Sequence, residues 1–305
     1  MKVGKKKSKI SRYSKLEKRD WFWGYLFVLP NFLGFFVFLA IPVVLGFVIS
    51  FTNYNGFAQM DFVGLSNYAR LFQDKFFKTA LKNNLIYSLA YVPASIIMAL
   101  LLALAVNKIR RFDSFFKTVF YFPSITSIVA IGIVWSMLMG PTTGPINMFL
   151  KAIGIAEPPK WIASSSTALM SITLVMVWKN AGYYMIMFLG GLKSIPSQLY
   201  EAAKVDGANA WQMFWNVTWP MLSPTTFMIT ILCIISSFQV FDAINVMTEG
   251  GPGTATTVLV FRIYQEGFVG LRYGYASAIA YFLFAIIMVV TLVQFWGQRK
   301  WVVYE

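Results

Sequence analysis

The sequence has no histidine and one cysteine, Cys233, in 305 residues. That excludes an intramolecular disulfide, any Cys/His zinc site and every triad that needs an imidazole base, so the chain is not expected to be an enzyme. Acidic residues are also scarce, with 12 Asp and Glu against 26 Lys and Arg. Charged residues of both signs make up 12% of the chain and hydrophobic ones 58%, which leaves a soluble globule too little polar surface to cover itself. The composition therefore predicts an all-α polytopic membrane protein.

What is abundant is long apolar sequence. Six stretches, 22–51, 83–106, 118–139, 167–190, 222–246 and 274–297, are each long enough to cross a hydrocarbon core of roughly 30 Å; the fourth is interrupted by Lys179. Residues 1–20 are a basic, solvated arm carrying Lys2, Lys5, Lys6, Lys7, Lys9, Arg12, Lys15, Lys18 and Arg19. The apolar run after it is too long for a signal-peptide core and is expected to be retained as the first helix of a single six-helix domain, 21–305. Basic residues favour the arm, the 107–117 loop, the 191–221 loop and the tail over the alternating segments by about two to one, which places both termini in the cytoplasm. Because these residues sit beside membrane segments, anionic lipid rather than nucleic acid is their expected counter-charge. Pro30, Pro42 and Pro93 predict kinks, and Trp21, Trp23, Trp296 and Trp301 read as interfacial anchors.

Between the fourth and fifth spans, residues 193–224 read KSIPSQLYEAAKVDGANAWQMFWNVTWPMLSP, a polar, helix-favouring stretch much longer than a turn requires. Pro196 and Ser197 form a helix start, with the Ser hydroxyl placed to accept from an early N–H. Leu199, Ala202, Ala203 and Asp206 share one face, and Gly207 ends the helix. An amphipathic helix resting on lipid is the competing reading, but Glu201 and Asp206 would face an anionic leaflet and Ala adds little apolar area. A protein groove suits the small Ala face better.

EAAKVDGANAWQMFWNVTWPMLSP resembles the EAA signature of permease subunits of binding-protein-dependent ABC importers, with Glu201, Ala202, Ala203, Gly207 and Pro220 at the family's spacing. The preceding GLKSIPSQLYEAAKVDGA and the later SFQVFDAINVMTEGGPGTATT (237–257) are similar to its carbohydrate-uptake branch, the maltose and glycerol-phosphate type, in a six-helix form without the maltose permease's extra periplasmic domain. The resemblance implies a type I ABC importer permease fold in a bacterial or archaeal cytoplasmic membrane. It also implies a coupling helix, Glu201 to Ala208 with Ala202, Ala203, Asp206 and Gly207, seated on an ATPase subunit. The implied partners are a second EAA-bearing permease, two ATPase subunits and an extracytoplasmic solute-binding protein. No cofactor is expected on this chain, which has no GxxxxGK[ST] phosphate loop, so ATP and Mg belong to the partner ATPase.

Polar side chains inside spans mark a candidate solute path: Asn180, Tyr183 and Tyr184 in the fourth, and Phe238, Gln239, Phe241, Asp242 and Asn245 in the fifth. Amides, a carboxylate and hydroxyls interleaved with aromatic rings suit a neutral carbohydrate. Helix-to-helix hydrogen bonding is the bland alternative for each residue, and Lys179 could pair with Asp242 or reach outward. The EGGPG turn, with Gly250, Gly251 and Pro252, matches the family's outer loop near the docked binding protein and reads as a tight, exposed bend. A permease for phosphate, polyamine or amino acid is the nearest alternative function. An ion-coupled carrier is weaker, since Asp242 is the one acidic residue inside a span.

Overall fold

A computed structural model describes residues 15–57, 60–109 and 111–303, with side chains from Arg19 onward. Of the basic arm predicted over 1–20, residues 1–14 lie outside the described residues, and helix begins at Lys15 rather than at the start of the apolar run. The chain divides into two compact units between Ile49 and Ser50.

From Lys15 the first unit is helical: α1 (Lys15–Phe35), a π-helical turn (Phe36–Ala40) and α2 (Ile41–Ile49). Pro42 explains the wide turn. It has no N–H to give, and its ring crowds the carbonyl four residues back; Ile41 donates instead to Phe36, one residue further than in an α-helix. The same arrangement recurs before Pro220, where Trp219 donates to Phe214 across the π turn Phe214–Thr218. A single span, Arg19–Ile49, survives the insertion.

The second unit opens with a short antiparallel bridge between Thr52 and Phe62 and α3 (Ser66–Leu71). Helix α4 (Lys75–Asn107) is capped by Asp74, which accepts from the Phe76 N–H at 2.8 Å, and runs on through Pro93. Its 33 residues make a rod of about 50 Å, longer than the hydrocarbon core requires. Then come α5 (Asp113–Ile125), α6 (Ile128–Leu138), α7 (Pro145–Ala152) and α8 (Ala168–Ser194). After them follow α9 (Ser197–Val205), α10 (Ala210–Met213), α11 (Trp219–Met221), α12 (Ser223–Phe238), α13 (Asp242–Met247), α14 (Leu259–Tyr264) and α15 (Tyr273–Gln298).

The core of this unit forms where α8 lies along α4, flanked by α5 against α8 and α12 against α4. Tyr87, Tyr91, Ile172, Met185, Phe188, Ile229 and Cys233 fill it. A second cluster, with Leu71, Phe77, Phe238, Leu259, Tyr275 and Ile279, joins α3 and the start of α4 to α14 and α15.

Two spans expected to be straight are broken. The 118–139 stretch is α5 and α6 meeting at 94°. Pro123 withholds an N–H in the last turn of α5, and Thr126 and Ser127 are both extended. The 222–246 stretch ends as α12 at Phe238, and Asp242 to Met247 form the separate α13. No Pro or Gly marks that second break. A residue distant in sequence meets it: Asn84 of α4 donates to the Ser237 carbonyl at 3.1 Å, satisfying an acceptor in the last turn of α12.

Candidate functional site

The break between α12 and α13 opens a cavity of about 270 Å³ bounded by α4, α8 and the start of α6. Asn180, Gln239, Phe241 and Asp242 line it, so four of the eight predicted path residues converge there. The Asn180 amide donates to the Tyr91 hydroxyl at 2.8 Å, and Tyr91 stacks on Tyr87 with ring centroids 5.4 Å apart. These two tyrosines and Ser236 also line the cavity and were missed by the sequence reading. Their signal was present: Asn83, Asn84, Tyr87, Ser88 and Tyr91 recur at helical spacing in an otherwise apolar span.

The other four path residues do not line it. Tyr184, one turn beyond Asn180 on α8, is buried in the core. Tyr183 turns to a separate groove beside Lys117 and Tyr121, where its N–H donates to the Ser124 hydroxyl at 3.2 Å. Phe238, the last residue of α12, packs into the second core cluster with Leu71 and Phe77. Asn245 lies one turn along α13 from Asp242 and is half-buried. Lys179 does line the cavity, yet it neither pairs with Asp242 nor reaches outward. Its ammonium donates to the Ser124 carbonyl at 3.0 Å, in the last turn of α5, while the Ser124 hydroxyl donates to the Lys179 carbonyl at 2.8 Å.

The predicted coupling residues lie on a short exposed helix, α9 and the turn that follows it, with a well-defined C-terminal end. At the end of α9, Gly207 takes φ +77°, its N–H donates to Lys204 at 3.1 Å, and the Ala208 N–H donates to Ala203 at 2.9 Å. These paired bonds form a Schellman stop, and the positive φ suits glycine. The expected Ser197 hydroxyl cap is not formed: Pro196 occupies the cap position and no side chain fills the role. Asn209 and Gln212 then exchange bonds of 2.9 Å in a capping box that starts α10. Glu201, Ala202, Asp206 and Gly207 are exposed, and Ala203 and Ala208 are half-buried. Val205 is 88% exposed.

The EGGPG turn is less exposed than expected. Gly250 is buried against the Phe261 ring, which leaves no room for a side chain; Glu249 and Gly253 are the exposed members. Thr256 donates to Gly251 at 2.8 Å and Thr257 to Gly250 at 3.1 Å. Asn83 of α4 pins the turn by donating to the carbonyls of Thr254 and Thr257 at 2.9 and 3.0 Å. Nearby, Glu266 is fully buried between Arg262 and Arg272, the latter at 2.6 Å, and Arg262 also reaches Asp74 at 3.4 Å. Burial alone would raise the Asp74 pKa. The Tyr275 hydroxyl, the Phe76 N–H and the Arg262 charge outweigh it and hold the carboxyl below its ordinary 3.8.

Residues 91–302 match the family described as binding-protein-dependent transport system inner membrane component. The chain is 36% identical over 296 residues to a probable ABC transporter permease, YesP, of Bacillus subtilis, covering 96% of this chain and 95% of the relative. It is 33% identical over 285 residues to the multiple sugar-binding transport system permease MsmF of Streptococcus mutans, covering 92% and 96%. A chain of a bacterial alginate ABC transporter, solved in complex with an alginate pentasaccharide-bound periplasmic protein, superimposes with a TM-score of 0.84 at 29% identity, covering 95% of this chain and 98% of that one.

Proposed function

The chain belongs to the family of inner membrane components of binding-protein-dependent transport systems, and from that premise we propose that it forms half of the translocation path of an ATP-driven carbohydrate importer. The observation that carries the cargo class is the cavity at the α12–α13 break, where two amides, a carboxylate, tyrosine hydroxyls and a phenyl ring meet. Such a lining offers sugar hydroxyls both donors and acceptors and gives the ring's apolar face an aromatic neighbour. The sugar-named permease and the alginate transporter among its relatives support the same class. Asp242 is the one carboxylate on the cavity wall, which leaves an ion-coupled carrier without a relay.

In this reading both termini are cytoplasmic, and α9 with Gly207 and Ala208 docks in a cleft of a cytoplasmic ATPase that holds ATP and Mg. A second permease supplies the other half of the path, and an extracytoplasmic binding protein delivers cargo against the turn at Gly250, Gly251 and Pro252. Closure of the ATPase pair moves α9, and the rigid Schellman stop transmits that motion into the helix bundle.

Reconstitution of the complex in proteoliposomes tests the docking and the path separately. Gly207→Val and Glu201→Lys should abolish uptake and solute-stimulated ATP hydrolysis while leaving the chain inserted. Unchanged hydrolysis and uptake would refute the docking. Asp242→Ala and Gln239→Ala should alter uptake kinetics with the ATPase still bound, and identical kinetics would remove both residues from the path.

A further inference from the structure

Lys179 is 8% exposed, lines the cavity, and has one hydrogen bond, to the Ser124 carbonyl at 3.0 Å. An ammonium has three donors, and the other two meet no partner among the described residues. No carboxylate lies within ion-pair distance: the described ion pairs involve Lys117, Arg262 and Arg272. A buried charge with one neutral acceptor is costly, and such groups persist where something arrives to pair with them. Asp242 shares the cavity but is exposed, so water screens its charge while that of Lys179 stays desolvated.

On the carbohydrate reading, we infer that Lys179 receives a carboxylate carried by the sugar, so the cargo is an acidic carbohydrate of the uronate kind rather than a neutral one. The cavity offers one negative charge a partner. Its wall carries a single cation, Lys179, and no Arg, so the second charge of a phosphate ester would find no counter-ion there. The sugar's hydroxyls then fall to Asn180, Gln239 and Asp242, and its carboxylate replaces the missing counter-ion of Lys179.

The test compares uptake of a uronate oligosaccharide with that of its carboxyl-reduced analogue by the full reconstituted complex. Rates are normalised to the fraction of binding protein loaded, so that the permease's own preference is read. Wild type should prefer the acidic cargo. Lys179→Met should lower the acidic-to-neutral ratio about tenfold, and Lys179→Arg should restore most of it. An equal loss for both cargoes in Lys179→Met would mean that the ammonium only ties α5 to α8, and would overturn the inference. Should the Met variant fail to assemble, a wild-type complex with no preference, or one preferring the neutral analogue, overturns it equally while leaving the carbohydrate importer standing. A wild-type complex that moves neither cargo overturns the uronate inference and leaves the carbohydrate reading to be tested with other sugars.

Discussion

A methyl group on Gly182 would sit 1.9 Å from the Phe120 carbonyl oxygen, so α5 and α8 touch backbone to backbone at that point. Gly182→Ala must push the helices apart, at a cost of about 1–3 kcal/mol, and should lower the thermal unfolding midpoint in detergent; an unchanged midpoint would mean that the contact is slack. Asp74 makes a second residue-scale prediction. Its folded pKa lies below 3.8, so its contribution to stability is complete above the unfolded value and is lost as pH falls through the folded one. Acid unfolding followed from pH 5 downward should therefore begin at higher pH in the already weakened Asp74→Asn protein. The wild-type minus variant stability difference should shrink below about pH 4, and a difference flat across that range would deny Asp74 its role.

At the scale of elements, what was legible in the sequence is what local chemistry decides. Gly207 ends α9 because the chain needs a positive φ there, and a Gly after an Ala-rich turn announces it. Long apolar runs gave the spans for the same reason. The end of α12 was not legible, since the residue that satisfies its last turn, Asn84, lies 153 positions away and Gln239, Val240 and Phe241 carry no breaking signal of their own. Four of the predicted path residues do not line the cavity for a related reason: polarity within a span does not say which face meets it, and Phe238 packs into the second core cluster while Gln239 lines the cavity. Asn84 also accepts from the Leu259 N–H at 3.3 Å, so Asn84→Ala leaves two buried backbone groups without this partner. The expected cost is about 1–3 kcal/mol, with faster hydrogen exchange at Leu259 and neighbouring amides; unchanged exchange would place the cause of the break elsewhere.

The direction of the whole molecule in the membrane can be read from α9. Cys233 is buried, so a Val205→Cys chain carries one accessible thiol at the most exposed point of the proposed coupling segment. A membrane-impermeant maleimide should label it in inverted vesicles and not in right-side-out ones, and co-expression of the ATPase should protect it. Labelling from the outer side would reverse the topology and with it the docking. A final consequence lies in α4, whose first half is tied by Asn83 to the turn beside Gly250. Tyr87 and Tyr91, one and two turns further along, face the chamber and come before Pro93. A partner that nudges the turn therefore moves the aromatic pair before its push meets the proline at which the spar could flex, so turn and chamber wall keep common time.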